Sequence, residues 1–351
     1  MRKIIFSAVT VIGLSLLSQN VAARSWRINS VPDAKANFLS INAAMESLDV
    51  LNGDTLYLDP GCVLEGQDIN KSVTVIGTGY NLQEETTREA VINGTLRISA
   101  PNVKVEGIHA VTIEFYKKGD YSTAERCKAK TIESYQSSET AHNLKIYSCY
   151  VYGQLSFPVS TNVEISNCII TGSIKSLHFS SLTNCTIVYT PNQTGTCVFS
   201  DDLSNSTIIN NIIINTHTGY RLDENQKPFY YKNEVIREMS LSKNNTISNN
   251  VFSVDADHAF ANYPNNKFIG ATPEDVFTLK GNSEEMYKLK AGSPAAGYGA
   301  NGYDCGAFSG QYPYVMSGRP RFIPYIYEAN IPNQPTDGKL NVTLKIRTQN
   351  E

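Results

Sequence analysis

The chain predicts a parallel β-solenoid, and three observations carry that prediction. A short strand motif returns at least five times. Its apolar residues are spaced by two rather than by 3.6. Its corner is polar and rich in Asn. The motif appears as Leu144-Lys-Ile-Tyr-Ser-Cys149, Val163-Glu-Ile-Ser-Asn-Cys168 and Leu182-Thr-Asn-Cys185, then as Ile208-Ile-Asn-Asn211 and Ile247-Ser-Asn-Asn250. Fixed self-similarity at this period marks a stacked repeat, in which each unit buries its apolar side only against its neighbours.

Four columns define the repeat. Ile146, Ile165, Leu182, Ile208 and Ile247 form an aliphatic anchor. Two residues on come Ser148, Asn167, Asn184, Asn210 and Asn249, followed by Cys149, Cys168, Cys185, Asn211 and Asn250. Val151, Ile170, Ile187, Ile213 and Phe252 close the unit. The polar corner is a sharp bend between two short strands, and one residue there is expected in the left-handed conformation, which Asn and Gly tolerate. Gly77 and Gly107 continue the corner upstream. Stacked Asn side chains one strand apart would form an amide ladder. Successive anchors lie 19, 17, 26 and 39 residues apart, so the longer gaps carry excess chain. The interval from Val105 to Ile146 holds either an insert or one more coil around Thr131-Ile-Glu-Ser134.

Upstream elements follow in order. Arg2 and Lys3, the apolar run Ile4–Leu17 and the small residues Val21-Ala22-Ala23 read as a cleaved secretory signal over residues 1–23. No Cys follows the small residues, so no lipid anchor is expected. Ile41, Ala44, Met45 and Leu48 share one helical face, giving an amphipathic helix before Asn52-Gly53. Such a helix suits the cap that an open solenoid end requires. Leu56 and Leu58 alternate into a strand, Pro60-Gly61 turns, and Val73-Thr-Val-Ile-Gly77 opens the repeat.

This opening (Ile41-Asn-Ala-Ala-Met, Gly53-Asp-Thr-Leu-Tyr-Leu, Pro60-Gly, Ser72-Val-Thr-Val-Ile-Gly77) resembles right-handed parallel β-helix proteins of the pectin-lyase-like superfamily. Gly292-Ser-Pro-Ala-Ala and Tyr303-Asp-Cys-Gly-Ala-Phe308 resemble the terminal coil of its secreted bacterial members. The resemblance implies an all-β, right-handed parallel β-helix over 24–310. It leaves function open, because the fold hosts lyases, hydrolases and adhesins.

Two stretches stand out as inserts on this scaffold, 109–143 with Tyr116, Tyr121 and Tyr135, and 216–245. From 311 to 351 the chain becomes Pro-rich and then alternates Leu340, Val342, Leu344 and Ile346 with polar residues. That reads as an extension ending in one half-buried strand, packing back on the β-helix or exchanging with a partner.

Composition limits the partners. A net charge of -3 gives no electrostatic case for nucleic acid or an anionic membrane. After signal cleavage no membrane span is expected. Seven Cys in an exported chain leave one unpaired, and Cys149, Cys168 and Cys185 read as stacked, buried thiols.

Candidate chemistry comes from acidic, basic and aromatic residues. Asp201-Asp202 superficially resembles the paired aspartates of polygalacturonase-like hydrolases, but the companion motifs are absent. Asp255 and Asp257 form a candidate Ca²⁺ site, and His258 a candidate general acid or base. Tyr220, Arg221, Tyr230, Tyr231 and Arg237 are candidates for holding sugar rings and carboxylates. Each has a plainer account as a turn, a loop or a surface ion pair. No cofactor is firmly implied. The sequence therefore predicts a secreted or envelope-associated, monomeric β-helix that binds polysaccharide along a coil face, with 216–245 as one wall. A polysaccharide lyase or hydrolase acting on a uronate-containing glycan is the first alternative, and a structural or adhesive solenoid the second.

Overall fold

The structure is a computed structural model. It describes residues 23–82, 88–137, 139–190, 198–216, 218–222, 228–232, 242–253, 263–269, 272–320, 324–332, 334–335 and 337–347. Residues 1–22 of the segment read as a secretory signal lie outside these. Among the described residues no helix is long and apolar enough to cross a membrane.

The fold is a parallel β-solenoid. A ten-stranded and a twelve-stranded sheet face each other, and a short three-stranded sheet adds a third side. Anchors stack in register on the ten-stranded sheet: Val75, Val105, Ala124, Ile146, Ile165, Leu182, Ile208 and Ile247. Opposite them Val151, Ile170, Ile187, Ile213 and Phe252 stack on the twelve-stranded sheet. All are buried in one core. The anchor Ala124 belongs to a coil formed by Thr123–Glu125 and Lys128–Ser134. Residues 109–143 are therefore regular coil and not an insert.

The corner takes the left-handed conformation in coil after coil. Gly107, Arg126, Ser148, Asn167, Asn184, Asn210 and Asn249 all have φ between 50 and 65°. One position inward lies a buried ladder. Cys127, Cys149 and Cys168 each donate N–H to the Cys sulfur of the next coil at 3.4–3.5 Å. Cys185 donates to Asn211 Oδ1 at 2.7 Å, Asn211 to Asn250 at 2.9 Å, and Asn250 to Asn266 at 3.0 Å. The bend removes sheet hydrogen bonds, and these side chains replace them. The thiols do the work of the amides because each S–H also donates to a backbone carbonyl. All six described cysteines are free and buried.

A second corner, before each strand of the ten-stranded sheet, repeats the device. Asn102, Tyr121, Asn143, Asn162, Phe179, Asn205 and Asn244 are left-handed there, with φ between 47 and 59°. Its inner ladder uses Ser180 and Ser206, then Asn245.

The N-terminal helix spans only Ile41–Glu46, capped by Ser40 Oγ accepting from Ala43 N at 3.0 Å. Ile41, Ala44 and Met45 enter the core as expected. Leu48 does not: Ser47 is already extended, and Leu48 is 94% exposed.

After Lys267–Phe268 no described strand joins the two long sheets. Residues 272–320 form a strap on the outer face of the twelve-stranded sheet. Val276, Phe277, Tyr287, Ala307 and Tyr314 pack there on Ile169, Ile212 and Val251. The strap then runs back along the Asn corner. Asn210 accepts from Ala300 N at 2.8 Å, Asn167 donates to the Ala307 and Ser309 carbonyls at 2.9 and 2.7 Å, and Arg126 donates to Arg319 O at 2.8 Å. Beyond it, Tyr325–Asn330 pairs antiparallel with Thr343–Arg347, a partner strand that the sequence did not show. Ile326, Leu344 and Ile346 are exposed on this ribbon.

A buried network fastens the strap. Tyr314 Oη donates to Glu284 Oε1 at 2.5 Å and meets Tyr80 Oη at 2.7 Å, while Ser317 N donates to Glu284 Oε2 at 2.9 Å. Burial raises the Glu284 pKa, although its hydrogen bonds from Tyr314 and Ser317 pull the other way. A carboxyl whose pKa is raised on folding stabilises fully below its unfolded value near 4.5, and that contribution is lost as pH rises through the folded value. Glu89 has the opposite sign: burial opposes its ionisation, but His109, the Asn81 amide and Lys128 hold its pKa low. Its contribution fades only as pH falls below the ordinary carboxylate range. In the window above the ordinary carboxylate value of 4.5 the Glu284 effect therefore dominates strap docking. The protection factor of the Ser317 amide should fall across that window, and Glu284→Gln should flatten the slope. An unchanged slope in the variant would remove Glu284 as the cause.

Candidate functional site

The solvent face of the ten-stranded sheet carries the residues flanking each anchor. One column runs Lys104, Thr123, Lys145, Glu164, and the other Glu106, Glu125, Tyr147, Ser166. Lys104 bridges Glu106 and Glu125, both at 2.8 Å. Arg126 Nε stands 3.7 Å from Glu125 Oε1. Glu164 has no ion pair among the described residues.

Two cavities meet on this face. The larger, about 330 Å³, is lined by Glu125, Tyr147, Ser148, Glu164, Ser166, Asn167 and Tyr312. The second, about 260 Å³, is lined by Tyr121, Thr123, Asn143, Leu144, Lys145, Asn162 and Glu164. Glu164 belongs to both. Exposed Tyr312 comes from the strap and exposed Tyr121 from the second corner. Burial, then the carboxylates of Glu164 and Glu125, push the Tyr147 phenol up, so it stays a hydrogen-bond donor.

The larger cavity has a local cause. In neighbouring coils Arg126 and Asn167 fill the corner and bond the strap. Ser148 is too short to do so. It is only 6% exposed, and its hydroxyl has no hydrogen-bond partner among the described residues. The short Ser148 side chain leaves the cavity floor open under Tyr312.

A second cluster sits on the twelve-stranded sheet. Arg97 pairs with Glu114 at 2.6 Å and lies 4.6 Å from the Tyr116 ring centroid. Tyr116 packs on Tyr135 with centroids 4.5 Å apart. Glu114 and Glu133 are register partners on adjacent strands. Burial, reinforced by the Glu114 charge, raises the Glu133 pKa.

Asp201 and Asp202, singled out from sequence, line neither cavity. Asp201 stands 3.9 Å from Lys175, and Asp202 3.6 Å from His178 Nδ1. Ser204 Oγ is 2.9 Å from the same Nδ1. Since acid and hydroxyl share one ring nitrogen, this is no Ser-His-Asp relay, which needs opposite nitrogens. Tyr220 and Tyr230 are register partners in an antiparallel hairpin that also carries Arg221 and Tyr231. Arg237, Asp255, Asp257 and His258 lie outside the described residues. Among the described residues no group of three His, Cys, Asp or Glu is placed to hold a metal.

Comparison with protein-family models, with curated proteins and with solved structures returns no match for this chain.

Proposed function

We propose that this is an exported glycan-binding protein that holds a polysaccharide in the double cavity on its ten-stranded sheet. The carrying observation is the cavity floored by the unpartnered Ser148 and walled by Tyr312. Carbohydrate sites combine aromatic faces with fixed polar groups. Tyr121 and Tyr312 supply rings, and Glu164, Asn143, Asn162 and Ser148 supply donors and acceptors across several coils. The resemblance of the opening strands to pectin-lyase-like β-helices supports the same reading. Among the described residues none lining the larger cavity is a cation, which disfavours a uronate chain there.

A second reading uses the other face. Adjacent carboxyls with different environments suit glycoside hydrolysis, Glu133, whose pKa is raised, as acid and the buried, Arg97-held Glu114 as nucleophile.

One experiment tests both readings. Retention of the protein should be measured on a panel of immobilised polysaccharides, alongside released reducing ends. Tyr312→Ala should weaken retention on the bound glycan by roughly tenfold. Ser148→Asn should narrow the cavity floor and weaken retention as well. Unchanged retention by both variants would remove this site. Reducing ends that vanish with Glu133→Gln would establish the hydrolase.

A further inference from the structure

The larger cavity is selective about charge. Among the described residues two carboxylates line it, Glu125 and Glu164, and no basic side chain does. Glu125 is shared with Lys104 and Arg126, both outside the lining. Glu164 has no ion pair among the described residues. Lys145 stands beside it in register, yet lines only the second cavity. The remaining polar groups are hydroxyls and one amide. Asn167 spends its amide on the Ala307 and Ser309 carbonyls, and Ser166 Oγ donates to Asn167 Oδ1 at 2.8 Å. Ser148 Oγ is left with its hydrogen-bonding capacity unused while its residue is nearly enclosed.

This set offers a carboxylate without a counter-ion, an unused hydroxyl and an aromatic wall within one space. A cationic donor suits this set best. An anion would meet like charge, whereas a neutral hydroxyl would add only one more hydrogen bond to an exposed Glu164 that the Tyr147 phenol already contacts. Resting on the glycan-binding reading above, we infer that the larger cavity takes the ammonium group of an amino sugar, with Glu164 as its counter-ion, Ser148 as acceptor and Tyr312 against the ring face. The second cavity, with Lys145, Asn143 and Asn162, then receives the next sugar along the chain.

The test is calorimetric titration of the full chain with four probes: a glucosamine tetramer kept protonated, its N-acetylated counterpart, a galacturonate tetramer and tetralysine. The glucosamine tetramer should bind at least tenfold more tightly than the N-acetylated one, since a charged hydrogen bond outweighs a neutral one by about that factor. Glu164→Gln should erase that difference, and added salt should narrow it. Equal binding of the N-acetylated tetramer, or tighter binding of galacturonate, would overturn the ammonium assignment while leaving the glycan reading in place. Equal binding of tetralysine would overturn recognition of a sugar in favour of a basic peptide. Silence from every sugar would remove the glycan reading itself. Because Glu164 lies on the solvent face, its substitution leaves the core intact, and matched thermal melts will verify this.

Discussion

Gly172→Ala should destabilise the fold by about 4 kcal/mol or more, among the largest effects available to a single methyl group. Tyr150–Ser156 pairs with the next coil in two pieces, Val151 with Ile170 and then Gln154 with Ser173. Gly153 and Gly172 fall between these pieces and stack on each other. A Cβ at Gly172 would overlap the Gly153 carbonyl, which is backbone and has no rotamer to change. A Cβ at Gly153 would in turn meet Lys130 O at 2.5 Å. Relief requires the coils to separate, and the ladders on either side resist that. The effect is one of space, since neither glycine has positive φ. Gly292→Ala is the matched comparison: its φ is +73° and nothing stands within 4 Å of the added Cβ, so it should cost only about 1 kcal/mol. Urea unfolding of both variants decides the matter. Similar small losses would show that the coil spacing adapts and that the close stacking is not a constraint.

The Asn corner was legible in the sequence because one backbone demand acts on one position per coil. Left-handed φ selects Asn so strongly that the column survives irregular spacing. The companion corner escaped notice because Tyr121 and Phe179 interrupt its Asn run, and its inner ladder uses Ser, common in any loop. The coil anchored by Ala124 was legible only as an alternative to an insert for a similar reason: a small anchor and Arg126 at the corner break both recognisable columns. The site was less visible still. Glu125, Tyr147 and Glu164 come one per coil and form no contiguous motif. Extending the column reading to the residues on either side of each anchor would have found them. Nothing local announces Tyr312, which the strap delivers from far along the chain. Ser148 was visible as the lone Ser in its column, but a missing amide becomes a cavity only when something passes over it.

The inner ladder gives the second large effect, because it equates two side chains that sequence comparison treats as unrelated. Asn211 is fully buried. Its Oδ1 accepts from Cys185 N at 2.7 Å, and its Nδ2 donates to Leu182 O at 2.8 Å and Asn250 Oδ1 at 2.9 Å. Asn211→Ala would strand a buried N–H and a buried carbonyl and leave a small void. Each orphaned group costs about 1–3 kcal/mol, so a loss of about 4 kcal/mol is expected. Asn211→Cys should lose less than about half of that. Cys168 and Cys185, two coils and one coil away, already accept the preceding N–H and donate S–H to a carbonyl at the same position. Burial pushes the Cys168 thiol pKa well up, so it keeps the proton that it donates. The thiol is a weaker partner than the amide, hence the residual loss. Thermal unfolding of the two variants side by side measures the difference. If Cys proves as damaging as Ala, the thiols higher in the column are only space-filling. If it recovers most of the loss, the column is one hydrogen-bonding device written with two residue types, and a coil can exchange one for the other without leaving the fold.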